Sequence, residues 1–568
     1  MTLGRRSLLT GAGAAGLSST GVFGLPDGLA RAASSGRRAG NPVSVVETTA
    51  GKVRGYRDQG VQVFKGIPYG DPVSGAGRYL PAKPRTSWPG VLETVDFGPI
   101  SMQLGSGSIS GGRQSEDCLF LNVWTPSVGR AHRRPVMVYM HGGGFRVGSP
   151  LGRYCDGTNL AAAGDVVVVS MSHRLGGLAY MYLGDVFGGA YEAGNAGNLD
   201  IVLALQWVRD NIEAFGGDPA RVMVFGESGG GKKISHLLAM PAARGLFHRA
   251  LIESGALSTA IERPAATDYA HRFLAALRLT ANDRGKLAEV PVETLLATQA
   301  QLTAAGYDAA GSYGGSAGPE PVVDGHTLPM HPGAAVAGGM SADVPLIIGS
   351  MLDEAGLGFA MPQYRARYEQ MTDAGLRDQL LTGLAKTEDD HVLADMGPGG
   401  VEAVIAHYRR VWPDAPNGML AVRIEAAAHF RRLSYKLADF KAKGTRAPVR
   451  TYVVTCEAQI PGSPLRAAGH GMDVPLIMRN VEAGSVYGLW GNDLENAWRL
   501  SDTLSATMVA FARDGIPQAP GLPAWTPLTA TDHWTMLFDL PSKVVRDPFG
   551  DAAVFGGVQG DSFHKLPA

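Results

Sequence analysis

Short apolar runs recur along the chain, separated in several places by longer segments with a helical period. Val136–Met140, Val166–Met171, Val222–Phe225, Ala250–Glu253, Pro345–Gly349 and Val449–Thr455 have the length and residue types of strands buried on both faces. Between two of them, Asn198–Phe215 keeps Ile201, Leu205 and Val208 near one helical face and runs into Gly216-Gly217-Asp218-Pro219, a strong helix stop. Strand, helix, strand repetition predicts an α/β fold. No internal repeat of fixed period is visible, which argues against a solenoid or propeller. Glu262 to about Ala310 and Gln363–Gly444 are mainly helical in pattern and more charged, and are expected as helical insertions capping a site on the sheet. Gly105–Gly112 and Gly311–Gly318 read as Gly-rich loops. No linker divides the chain from residue 33 to 568, so one catalytic-size domain is expected there.

Charge and composition then exclude whole classes. Lys plus Arg is 51 and Asp plus Glu is 52, a net charge of -1, which leaves no excess positive charge for a nucleic-acid backbone. Hydrophobic residues make up 45% and charged residues 18%, enough apolar surface for a large core and incompatible with dominant disorder. Cys118, Cys155 and Cys456 are sparse and lack C-x-x-C spacing, so neither a zinc ribbon nor a disulfide framework is expected, and three free thiols, mostly buried, are. Neither a P-loop nor H-E-x-x-H is present, and the sequence implies no cofactor and no metal.

The N-terminus has its own signature. Arg5-Arg6 precede a weakly apolar Gly/Ala/Leu stretch that ends at Ala30-Arg31-Ala32, which resembles a twin-arginine export signal cleaved after Ala32. Residues 1–32 are therefore expected to be removed and the mature protein to be secreted or periplasmic. No later apolar run is long enough to span a bilayer, so no stable membrane insertion is expected after cleavage. Gly11–Gly16 formally matches G-x-G-x-x-G, but no strand precedes it and no βαβ unit surrounds it.

G-x-S-x-G occurs twice, at Gly226-Glu227-Ser228-Gly229-Gly230 and at Gly314-Gly315-Ser316-Ala317-Gly318. Chance alone gives about 0.6 matches in so Gly-rich a chain, so context must choose between them. Ser228 follows an apolar strand and precedes a helical run, Lys232–Met240, as a nucleophile elbow requires; Ser316 lies in a Gly-rich loop followed by Pro319-Glu320-Pro321. The strand Val136–Met140 also runs into His141-Gly142-Gly143-Gly144-Phe145, where missing side chains let backbone N–H groups face a bound oxyanion.

These residues resemble the type-B carboxylesterase and lipase family, which includes cholinesterases and bacterial para-nitrobenzyl esterases. Glu116-Asp117-Cys118-Leu119-Phe120-Leu121-Asn122-Val123 and Phe225–Gly230 are similar to its two signatures. The likeness runs from about Val46 to Pro527, through Phe64–Tyr69, Phe215–Pro219 and Pro321–Gly325. The resemblance implies the α/β-hydrolase fold, a large and mostly parallel central sheet flanked by helices with helical cap insertions. It also implies a serine esterase with Ser228 as nucleophile and His470, in Gly469-His470-Gly471-Met472-Asp473, as base. Glu354, in the family-like segment Ile347–Glu354, is the implied acid, with Asp353 beside it as the competing carboxylate. Gly143, Gly144 and Gly229 are the implied oxyanion donors, Gly229 standing where the family more commonly has Ala. Ser254 matches a serine that supports the acid and histidine, while Arg78 and Glu116 resemble a structural ion pair and His173 a structural histidine. Lys232 and Lys233 replace small or apolar residues.

Serine is a weak nucleophile, so a base must take its proton and a carboxylate must hold the base in one tautomer. The sequence thus predicts ester hydrolysis through an acyl-enzyme. Ser108 stands where cholinesterases carry a choline-binding Trp, which disfavours choline esters, and the early Cys partner of Cys118 in the family is missing. Two readings compete: a carbamate or amide hydrolase on the same triad, and a non-catalytic binding protein on the same fold.

Overall fold

The computed structural model describes residues 44–555, apart from 105–111, 305–317, 355–361, 385–398, 445, 461, 484–492 and 530–531. The proposed signal, the Gly11–Gly16 pattern, Ser108 and Ser316 all lie outside the described residues. Eleven strands form the central sheet: β1 (Tyr56–Asp58), β2 (Val61–Pro68), β3 (Phe120–Thr125), β4 (Arg134–Met140), β5 (Val167–Met171), β6 (Gly217–Glu227), β7 (Arg249–Glu253), β8 (Leu346–Met351), β9 (Val449–Val454), β10 (Trp534–Phe538) and β11 (Lys543–Arg546). Their order is β11-β10-β9-β8-β7-β6-β4-β5-β3-β2-β1. From β10 to β5 all neighbours are parallel, and antiparallel pairs close both ends.

Alternation within each parallel strand divides the core into two layers. Val136, Val138 and Met140 of β4, with Val222 and Val224 of β6, join the core on one face; Met137, Tyr139, Met223 and Phe225 join the other. The first face is covered by α1 (Ala196–Asn211) through Ile201, Leu205 and Val208, by α2 (Gly229–Leu237) through Ile234, and by α3 (Arg432–Gly444) through Leu433 and Leu437. The second is covered by α4 (Leu494–Asp514) through Leu500, Leu504, Met508 and Phe511, which recur at helical spacing. All six expected strands are present. The helix expected to end at Phe215 stops at Asn211, continues as a 3-10 turn over Ile212–Phe215, and ends at Gly216 in the left-handed region, φ 84°.

Helices Arg263–Ala276, Arg284–Glu289 and Val292–Ala304 occupy one proposed insertion, and Pro362–Glu369, Asp373–Leu384, Gly400–Val411, Asn417–Ala426 and α3 occupy the other. The three cysteines are free and buried. Among the described residues no helix is long and apolar enough to cross a membrane.

Candidate active site

The parallel strands place the candidate residues at their carboxyl ends, where side chains and loops from neighbouring strands converge. Ser228 follows β6 in a left-handed conformation (φ 54°, ψ -120°) and starts α2. Its N–H donates to the carbonyl of Glu253 at the end of β7, 2.8 Å away, which fixes the sharp turn. The positive φ of a non-glycine residue is the strain a nucleophile elbow stores.

Glu354 lies just past β8. Its Oε1 accepts from the N–H of Met351 at 2.8 Å, and its Oε2 lies 2.5 Å from His470 Nδ1. Asp353, the competing carboxylate, is turned the other way: it accepts from Arg423 Nε at 3.0 Å and from the N–H of Ala468 at 2.9 Å. With the bond from Asp353 N–H to Ala468 O, it stitches the loop after β8 to the loop that carries His470. Of the two adjacent carboxylates, Glu354 faces the imidazole and Asp353 holds the loops together.

Next to β6, Gly143 (φ 91°) and Gly144 (φ 63°) form the turn after β4, and Gly144 lies directly against Gly229. The backbone N–H groups of Gly143, Gly144 and Gly229 have no acceptor among the described residues, so they are donors in search of one. Such a group of donors stabilises an oxyanion that develops between them.

The opposite edge of His470 holds a residue that motif reasoning missed. Glu227, immediately before Ser228, brings Oε1 to 3.0 Å from His470 Nε2, an ionic approach off the hydrogen-bond direction that leaves Oε1 without a hydrogen bond. No hydrogen bond joins Ser228 Oγ to Nε2 among the described residues; such bonds in free enzymes commonly tighten only when substrate binds. Burial works against the imidazolium, yet Glu227 and then Glu354 outweigh it and hold the His470 pKa well above the ordinary value. Two further buried acids crowd the site. Asp473 is pushed up to about 8 by burial and by the charges of Glu227 and Glu354, and Glu253 rises well above the carboxylate range for lack of water and because of Asp473 and Glu227. Both motifs already contained the signal, a carboxylate beside Ser228 and another three residues after His470.

The match to a family model covers residues 42–553, and the model is that of the carboxylesterase family. The chain belongs to this family. The carboxylesterase is 34% identical over 510 residues to the para-nitrobenzyl esterase of Bacillus subtilis (strain 168), covering 89% of this chain and 96% of that one. It is 31% identical over 524 residues to the phenmedipham hydrolase of Pseudarthrobacter oxydans, covering 89% and 97%. Among solved structures, a carboxylesterase of Geobacillus stearothermophilus superposes with a TM-score of 0.75 at 34% identity, covering 90% of this chain and 99% of that one. The fold is that of the α/β-hydrolases, and the protein is a serine carboxylic ester hydrolase.

Other residues of the carboxylesterase divide between the site and its frame. Ser254 is buried in a left-handed conformation and its N–H donates to the carbonyl of Gly349 at 2.8 Å. Its Oγ makes no hydrogen bond, so no direct bond from Ser254 to Glu354 or His470 is present among the described residues. Arg78 and Glu116 form a two-pronged pair at 2.5 and 2.7 Å, far along the chain from Ser228, Glu354 and His470. His141 and His173 stack with ring centroids 4.9 Å apart, and burial, with the charge of Lys233, keeps both imidazoles neutral. The ring of Phe430 lies 5.3 Å from that of His470 and gives the imidazole an apolar neighbour.

Proposed function

We propose that the carboxylesterase works through Ser228, His470 and Glu354. His470 Nε2 takes the Ser228 proton as Oγ attacks the ester carbonyl carbon, and the oxyanion that forms accepts from the N–H groups of Gly143, Gly144 and Gly229. Collapse breaks the bond to the alkoxy oxygen, which leaves as alcohol with the proton from His470. Water then repeats the sequence on the acyl-enzyme and releases the acid. Glu354 fixes the Nδ1–H tautomer and stabilises the imidazolium. The observation that carries this reading is the 2.5 Å contact between Glu354 Oε2 and His470 Nδ1, with the second carboxylate oxygen pinned by Met351.

Substrates are small or medium, fairly apolar esters, a reading supported by the Phe430 ring against His470 and by relatives named as para-nitrobenzyl esterases. Initial rates of wild type and Ser228→Ala on para-nitrophenyl esters of increasing acyl length test it. Activity in wild type alone supports the serine mechanism, and the optimum length sizes the acyl pocket. Equal rates in both proteins refute it. Matched carbamate and anilide substrates run alongside decide the ester preference.

The twin-arginine-type segment further supports export, with the mature chain starting after Ala32. Intact mass of protein recovered outside the cytoplasm checks this, and a chain beginning at Met1 or Thr2 contradicts it.

A further inference from the structure

Lys233 lies on α2, five residues after the candidate nucleophile, and its side chain is completely buried. An ammonium taken out of water needs compensation, and the structure provides a specific one. Nζ donates to the carbonyl of His141 at 3.0 Å, the last carbonyl before the Gly142–Gly144 turn. The next carbonyl, that of Gly142, accepts from His141 Nδ1–H at 2.8 Å. A trans peptide holds its C=O and N–H in one plane pointing in opposite directions, so a pinned Gly142 carbonyl aims the N–H of Gly143 the other way. Two consecutive peptide planes entering the Gly142–Gly144 turn are thereby fixed, the first by Lys233 and the second by the imidazole of His141 itself.

The charged and titratable groups around Lys233 are Glu227 from the end of β6, Lys232 on its own helix, and the stacked His141 and His173. Burial lowers the Lys233 pKa to about 7, with Glu227 opposing and Lys232 adding to the fall. Glu227 is also the carboxylate 3.0 Å from His470 Nε2, and its Oε2 stands 2.9 Å from where a Cβ on Gly142 would sit, beside the carbonyl that Lys233 holds; one carboxylate thus neighbours both groups, with no ion pair from it to Lys233 among the described residues.

We propose that Lys233 is a positioning residue for ester hydrolysis: it anchors the His141 carbonyl so that the oxyanion turn keeps its aim, and it balances Glu227 against His470. This rests on the Ser228 mechanism above. The test uses full-length Lys233→Met, which fills the same space without a donor or charge. It is assayed for kcat and KM on a para-nitrophenyl ester, for the pH profile of kcat/KM, and for inhibition by a trifluoromethyl ketone that places an oxyanion in the turn.

We expect kcat to fall roughly 10–100-fold with KM within about twofold, less than the loss of a whole oxyanion donor, and ketone affinity to fall in proportion. The acid limb of kcat/KM moves upward, because an unbalanced Glu227 favours imidazolium at His470. Lys233→Gln, which restores an N–H donor but no charge, recovers part of kcat while the shifted limb remains. The proposal is overturned if kcat and ketone affinity stay within twofold of wild type. A fall in kcat that leaves both the acid limb and ketone affinity unmoved also overturns it, as does failure of both variants to fold, since each assigns Lys233 to the frame alone. Inactivity of wild type, or activity in Ser228→Ala, counts against the serine mechanism instead and is read from the same plates.

Discussion

Gly229→Ala restores the residue more common in the family, and sequence similarity alone would expect it to be neutral. The structure predicts a loss. A Cβ on Gly229 would stand 2.6 Å from Gly144 Cα and closer still to Gly144 N and O, whereas ordinary contact begins at 3.4 Å. Gly144 backbone must therefore retreat by about 0.8 Å or more, and it carries one of the candidate oxyanion donors. A misplacement of ~1 Å at a reacting centre costs about 10²-fold, and removal of one oxyanion donor ~10²–10³-fold. We expect kcat on a para-nitrophenyl ester to drop by ~10–100-fold, since the turn is displaced and not removed, with KM little changed. Gly285→Ala is the matched control: it too lies in a helix, Arg284–Glu289, but its Cβ would meet nothing within 4 Å. That variant should keep full activity and gain roughly 0.5–1 kcal/mol of stability from the lower backbone entropy of alanine in a helix. A Gly229→Ala enzyme with kcat within threefold of wild type would refute the reasoning, because the turn would then not be seated on the first residue of α2.

Three further outcomes follow from the same geometry. Glu227→Gln removes a charge 3.0 Å from His470 Nε2, worth ~1.4 kcal/mol even at the dielectric of water; the raised His470 pKa should fall by at least about one unit and the acid limb of kcat/KM should move to lower pH, as read by a rate titration. The sign follows from the base being active only when neutral: activity is lost as pH falls through the His470 pKa, so a lower pKa extends activity to more acid conditions. Glu354→Gln should lower kcat by about 10⁴ through the wrong imidazole tautomer, whereas Asp353→Asn should leave kcat within about tenfold; a larger loss in the second variant would reverse the assignment. Thermal or denaturant melts should find Asp353→Asn about 1–3 kcal/mol less stable, because Arg423 loses a buried charged partner.

Much of this protein is written locally. A stretch of strand buried on both faces must be apolar, so the apolar runs of β4, β5, β6, β7, β8 and β9 could be read from residue type alone, whereas β6 begins at Gly217, inside what the sequence reads as a helix stop. An elbow needs small residues around a serine after such a strand, and so Ser228 separates from Ser316 without a structure. Strand β2 was harder. Its apolar run is interrupted by Lys65-Gly66, where Gly66, at φ 73°, is a bulge whose N–H donates to Asn122 Oδ1 at 3.0 Å, and Asn122 in turn donates to Ser170 Oγ at 3.1 Å. A polar pair buried inside the sheet contradicts local propensity and is decided only by the neighbour it meets.

The same distinction applies at the site. Motif and chain order single out Ser228, Glu354 and His470 from short segments whose chemistry is fixed by residue type, and the fold brings those segments together at the carboxyl ends of the strands. Which of Asp353 and Glu354 faces the imidazole depends on Arg423 and Ala468, 70 and 115 residues away in the chain, and no local pattern encodes that meeting. Glu227 and Lys233 are each visible in the sequence as a charge near the nucleophile, but what each charge does depends on distance. One stands beside His470 and the other beside the Gly142–Gly144 turn because α2 and the ends of β4 and β6 are packed together. The chain alone determines which groups are available and which face of each strand they occupy; folding decides which buried charges meet, since in an apolar interior that outcome depends on ångströms.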